Sequence, residues 1–118
     1  MEFKIDTKEK IEIITPQFNL FNNNMADELC KKTISIAQSG KSVIIDFSNI
    51  ESLEPFVIPI LEENYHQLYN MQVSCAFCSL KKEIANQFSD IQNIVPTLVE
   101  AVDIVSMEGL ERELFADE

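Results

Sequence analysis

Glycine is nearly missing from this chain: 118 residues contain two, Gly40 and Gly109, and they stand far apart. A loop that cradles phosphate needs glycines at close spacing, so no nucleotide-binding loop of that kind is present. Histidine occurs once, at His66, which leaves no second imidazole for a zinc cluster and no identifiable nucleophile partner for a catalytic triad. Basic residues number nine against twenty acids. Phosphate backbones and anionic lipid surfaces both attract basic faces, so neither nucleic acid nor an anionic membrane surface is expected as a partner. Cysteine is limited to three, an odd number, and the opening "MEFKIDTKEK" lacks the apolar segment of a secretion signal. Reduced thiols and a cytoplasmic location are therefore expected. No apolar run approaches the roughly 18 residues a membrane span needs, so no span is expected either.

What the chain does have is apolar content, 46%, spread without repeats or low-complexity tracts. A domain of this length buries roughly two-thirds of the surface its unfolded form exposes, so a single core is expected. The charge is uneven. Residues 1–50 carry six Lys against seven acids, whereas residues 51–118 carry three basic residues against thirteen acids. This excess reads first as solvated helix faces that keep the domain soluble, with a dedicated acidic docking site as the alternative. The organisation expected is one domain over residues 1–107, followed by an acidic tail or helix extension over 108–118.

Phe3 and Ile5 alternate with polar residues, as do Ile11 and Ile13, which predicts two half-buried strands joined by a charged turn around Thr7 to Glu9. The period then changes. Ala26, Leu29, Cys30, Thr33 and Ala37 share a helical face, with Asn24 as N-cap and Gly40 as the C-terminal stop. "SVIIDF" is apolar without alternation up to Asp46, the pattern of a central strand covered on both faces. Ile60, Leu61, Asn64, Tyr65 and Leu68 predict a second helix ending near Tyr69–Asn70. Val73, Cys75 and Phe77 alternate as a further strand, and Leu80, Ile84 and Phe88 form a helical stripe capped by Ser79. Ile94–Val95 makes a last short strand, and Leu98, Ala101, Val102 and Val105 a fourth helix opened by Thr97. Two strands, a helix and then repeated strand–helix pairs imply an α/β fold, a mixed sheet of about four to five strands with four helices packed on it. In such sheets the loops after the strand C-termini carry the binding sites.

The stretch "VIIDFSNIESLEPFVIPIL", a strand ending in Asp-hydrophobic-Ser that leads through a loop into a helix, resembles the STAS domain. So does "VPTLVEAVDIV", the last short strand and helix. That family includes bacterial anti-sigma factor antagonists, sulphate transporter tails and a subunit of a bacterial lipid-transport complex. In the antagonists the loop usually reads Asp-Ser-Ser-Gly, and a partner kinase phosphorylates a serine there to switch binding off. The matching residues here are Glu54-Pro55-Phe56-Val57: the acid remains, while both hydroxyls and the glycine are replaced. A phosphate ester needs an acceptor hydroxyl, so the resemblance implies a platform without its usual switch. Ser52, and behind it Ser48, are the nearby hydroxyls, and Ser52 could stand in only through a shifted loop.

Pro55 suits the first position of a helix, where its missing N–H is not needed. Pro59 implies one of two arrangements: a kinked first turn, or a helix that starts at Pro59 behind a rigid apolar loop. Both push Phe56 or Val57 towards the surface, although Phe56 reads equally as a core-filling side chain. Ile60 reads as core. The expected partner-binding set is Ser48, Asn49, Ser52, Glu54, Pro55, Phe56 and Val57.

Two other patterns carry competing chemistry. Cys75-Ala76-Phe77-Cys78 is a C-x-x-C at a strand end, the setting that lowers thiol pKa in thioredoxin-like sites, yet strand alternation points the two side chains apart. Glu62, Glu63 and His66 share metal-ligand spacing on one helix, but matching ligands on other helices are wanting, and a solvated face is the expectation. The resulting expectation is a non-catalytic interaction module with no cofactor and no metal. Its partner is a protein, either a kinase-type anti-sigma factor or signalling protein or, as the alternative, a transporter ATPase served by an accessory subunit. A thiol redox protein using Cys75 and Cys78 is the enzyme alternative.

Overall fold

The computed structural model describes residues 2–115. In chain order the elements are β1 (Phe3–Thr7), β2 (Ile11–Pro16), β3 (Leu20–Phe21), α1 (Asn23–Gln38), β4 (Ser42–Asp46), β5 (Ser52–Leu53), α2 (Val57–Asn70), β6 (Cys75–Cys78), α3 (Lys82–Ala85), β7 (Ile94–Val95) and α4 (Leu98–Phe115). Five strands form a mixed sheet in the order β1-β2-β4-β6-β7, with β1 antiparallel to β2 and every other neighbouring pair parallel. β3 and β5 pair in parallel as a separate small ribbon.

The apolar run "SVIID" takes the centre of the sheet because it has side chains for both faces. Val43 and Ile45 join Ile14, Cys75 and Phe77 beneath α1 and α2, where Leu29, Leu61 and Leu68 are fully buried. Ile44 joins Ile13, Ala76 and Cys78 beneath α4, against Ala101 and Val105. Each fully buried leucine stabilises the fold by about 1.5–3 kcal/mol. The sheet therefore has α1 and α2 on one face and α4 on the other.

Several local expectations need correction. The first two strands are not equally half-buried: β2, hydrogen-bonded on both sides, is buried along nearly its whole length, while β1 is an exposed edge with Ile5 uncovered. α1 is capped by Asn22 rather than Asn24, and the Asn22 carboxamide oxygen accepts from the Met25 N–H at 3.0 Å. Gly40 does stop the helix, with φ +85° and its N–H donated to the Ala37 carbonyl. The third helix shrinks to one turn. Ser79 adopts φ +64° and caps nothing there, and Lys81 takes the cap position instead. α4 begins as expected after Thr97, whose hydroxyl accepts from Glu100 N–H. It then runs through Gly109 without a break to Phe115.

Candidate partner-binding site

The loop after β4 is fastened residue by residue. The Asp46 carboxylate accepts the Ser48 N–H at 3.0 Å, and the Asn49 carboxamide donates to the Pro16 carbonyl at 3.2 Å. Glu51 and Ser52 N–H groups both donate to the Asn19 carbonyl, and the Glu54 N–H donates to that of Phe21 at 3.0 Å. Ile50 is buried beneath them. These bonds make the β3–β5 ribbon, which lashes residues 48–54 to the segment 16–21. Ser48, Asn49, Ser52, Glu54 and Pro55 all stay exposed.

A tight turn then starts α2. Val57 N–H donates to the Glu54 carbonyl at 2.9 Å, and Ile58 N–H to that of Pro55 at 3.3 Å. The helix begins at Val57, ahead of Pro59, so the arrangement in which it starts at Pro59 is not the one adopted. Pro59 is tolerated because it falls within the first turn, where N–H groups have no intrahelical acceptor. The carbonyl four residues back belongs to Pro55, outside the helix, and it accepts from Ile58.

This turn decides the fate of the two neighbouring apolar side chains. Val57 faces inward and is fully buried, so it leaves the expected contact set. Phe56 faces outward and is 73% exposed, the largest exposure of any large hydrophobic among the described residues. Ile60 is half-buried against the core, in line with its expected role. One residue was not anticipated. Leu20, 45% exposed on β3, lies in register beside Ser52 and adds a second uncovered apolar side chain to the ribbon.

The C-x-x-C does not form a redox pair. Cys75 packs in the cluster under α1 and α2, and Cys78 in the cluster on the opposite face under α4. All three cysteines are free thiols. Burial pushes the Cys75 thiol up, and it raises Cys30 and Cys78 to about 11 each, so none is a thiolate at neutral pH. On α2 the Glu62 carboxylate accepts N–H bonds from Ser89 and Asp90, both at 3.0 Å, while His66 meets Asp90 at 3.0 Å. These side chains fasten the segment after α3 to α2. Among the described residues no group of three or more His, Cys, Asp or Glu is placed to hold a metal ion, and no helix is long and apolar enough to cross a membrane.

Comparison with known proteins places this geometry. The STAS domain family model matches residues 2–112. No curated protein sequence matches significantly. A putative anti-sigma factor antagonist from Thermotoga maritima is 18% identical, with a TM-score of 0.71 over 88% of this chain and 94% of that one. The Bacillus cell fate determinant SpoIIAA in its phosphorylated form is 14% identical, with a TM-score of 0.68 over 88% of this chain and 99% of that one. The murine anion transporter Solute Carrier 26 family member A9 is 14% identical with a TM-score of 0.66, and there the match covers 86% of this chain but 18% of that one. At such identities the likeness is one of fold.

Proposed function

The chain belongs to the STAS domain family, and on that footing we propose that it is a non-catalytic protein-binding module of the antagonist-like kind. Its contact surface is the exposed run Ser48, Asn49, Ser52, Glu54, Pro55 and Phe56, and Phe56 is the anchor. The observation that carries this reading is the 73% exposure of Phe56 on a segment whose backbone is otherwise pinned. A phenyl ring on a rigid turn loses little conformational entropy when a partner covers it, and buried aromatic side chains dominate many interfaces. Glu54, Pro55, Phe56 and Val57 offer no hydroxyl for a phosphate, so binding is not switched at the usual position. Ser52, whose N–H is held by the Asn19 carbonyl in the ribbon four residues before Phe56, is exposed and is the weaker candidate for a substitute phosphorylation site.

The test is affinity co-purification of the tagged chain from its native cells beside Phe56→Arg. A protein recovered by the parent and lost with a well-folded Phe56→Arg supports the reading. Its identity, a kinase-type regulator or a transporter ATPase, decides which branch of the family this chain resembles in use. Equal recovery by both removes Phe56 as the anchor. Phosphate found on Ser48 or Ser52 by mass spectrometry of the native chain would overturn the unswitched part of the reading.

A further inference from the structure

α4 carries apolar side chains on two opposite faces. Its inner face, Ala101 and Val105 flanked by Leu98 and Val102, closes the core on the sheet. Its outer face carries Val99, Met107, Leu110 and Leu114, which fall within roughly 80° of arc at 3.6 residues per turn, with Phe115 at the end. All five are more than half exposed, and among the described residues they are five of the eight large hydrophobics left uncovered. A helix that has already buried one apolar face gains nothing for its own fold from a second. Such a stripe marks a surface that something else covers.

The charges on the same helix select the occupant. Glu100, Asp103 and Glu111 are exposed, with no salt bridge or side-chain hydrogen-bond partner among the described residues. Arg112, the helix's one basic residue, is turned away and donates to Ser74 at 2.6 Å. A second copy of this chain, at net −11, would set the same acids against these, and an anionic lipid surface would be repelled likewise. Asp103 falls inside the same arc, between Val99 and Met107, while Glu100 and Glu111 line one edge of it and the other edge carries the Glu113–Lys10 pair. An apolar seam with Lys or Arg opposite Asp103 and along the Glu100–Glu111 edge would satisfy the stripe and its free acids.

We propose that the outer face of α4 docks a cationic amphipathic helix of a partner protein. α4 lies on the sheet face opposite α1 and α2, whereas Phe56 leads directly into α2. The two surfaces are therefore separate, and one domain can hold two proteins at once.

The probe is a labelled synthetic 18-residue helix of leucine and lysine, with the leucines on one face, titrated against the full chain and followed by fluorescence anisotropy. The expected result is saturable one-to-one binding that falls about tenfold or more in Leu110→Asp with Leu114→Asp, the scale of losing hot-spot contacts. Those substitutions add negative charge, so attraction by charge alone would strengthen binding instead. Asp103→Asn with Glu111→Gln is expected to weaken binding by a smaller factor and to flatten its dependence on salt. Circular dichroism checks that the variants fold, and Leu110→Gln with Leu114→Gln replaces the aspartates should they disturb the helix. The proposal is overturned if the parent does not bind, or if the apolar-face variant binds as the parent does. It is equally overturned if sedimentation shows a parent dimer that this variant abolishes, or if phosphatidylcholine vesicles float the parent and not the variant.

Discussion

Tyr69 on α2 donates its phenolic O–H to the carboxylate of Glu108 on α4 at 2.7 Å, joining the two helices past the edge of the sheet that lies between them. Asn93 completes the knot: its amide nitrogen, with two protons, lies within hydrogen-bond distance of the Tyr69 oxygen, Glu108 and the Cys75 carbonyl. Burial alone would raise the Glu108 carboxyl, but hydrogen bonds from Ser74, Tyr69 and Asn93 together with nearby Arg112 outweigh it and hold it below the usual carboxylate range. Burial, and then the bond to Glu108, push the Tyr69 hydroxyl up.

A depressed carboxyl pKa fixes the direction of a pH effect. Glu108 binds its proton less readily folded than unfolded, so its contribution to stability is fully present above the unfolded value, about 4.3. It is lost as pH falls from there through the lower folded value. Glu108→Gln is expected to destabilise the domain near neutral pH and to reduce the further loss of stability between about pH 5 and 3. Urea midpoints across that range check it, and parallel curves for parent and variant would count against the assignment.

The Thr33 hydroxyl on α1 has one proton between two acceptors, the Cys30 carbonyl at 2.9 Å and the Asn64 carboxamide oxygen on α2 at 3.1 Å, while the buried Asn64 amide nitrogen has no partner among the described residues. Thr33→Val leaves the buried oxygen unpaired as well and is expected to cost about 1–3 kcal/mol. Adding Asn64→Leu removes the stranded groups and is expected to restore most of the loss. Chemical denaturation of the two single variants and the double variant measures the coupling directly.

Phe21 is fully buried and ring-packed between Phe18 and Phe47, and its carbonyl holds Glu54. Phe21→Ala is expected to cost about 3–5 kcal/mol. Because that backbone anchors the turn before Phe56, hydrogen exchange at residues 51–56 should speed up more than exchange at β4. Uniform acceleration across the domain would mean that the ribbon does not hold the loop independently.

Buried thiols with raised pKa values give a fourth expectation. Cys75 and Cys78 should react with a disulfide reagent at neutral pH only slowly in the native chain and quickly in urea. Rapid native modification of either, or a Cys75–Cys78 disulfide found by mass spectrometry, would contradict their placement on opposite sheet faces.

The parts of the fold legible in the sequence were those where burial imposes a period. "SVIID" reads as the central strand because both its faces are covered, and Ala26, Leu29, Thr33 and Ala37 read as a helix because one face is. The alternation of Cys75 and Phe77 correctly separated the two cysteines of the C-x-x-C. The β3–β5 ribbon was not legible, since two-residue strands hold no period and Asn19, Leu20 and Ser52 carry no turn signature of their own. Ser79 looked like a helix cap because the sequence does not reveal its left-handed backbone. Val57 was misread for a related reason. Its burial is set by the Glu54–Val57 turn, which rotates Phe56 outward and Val57 inward, and two adjacent apolar residues give no hint which of them turns in.

Phe56 is the proposed point of contact, and a photo-crosslinking benzoylphenylalanine placed at position 56 in the native cells tests it most directly. The result predicted is a discrete adduct with one protein at position 56, with none from the same probe at Lys31 on the exposed side of α1. A folded chain that gives no adduct at position 56, or the same adducts from both positions, would contradict it.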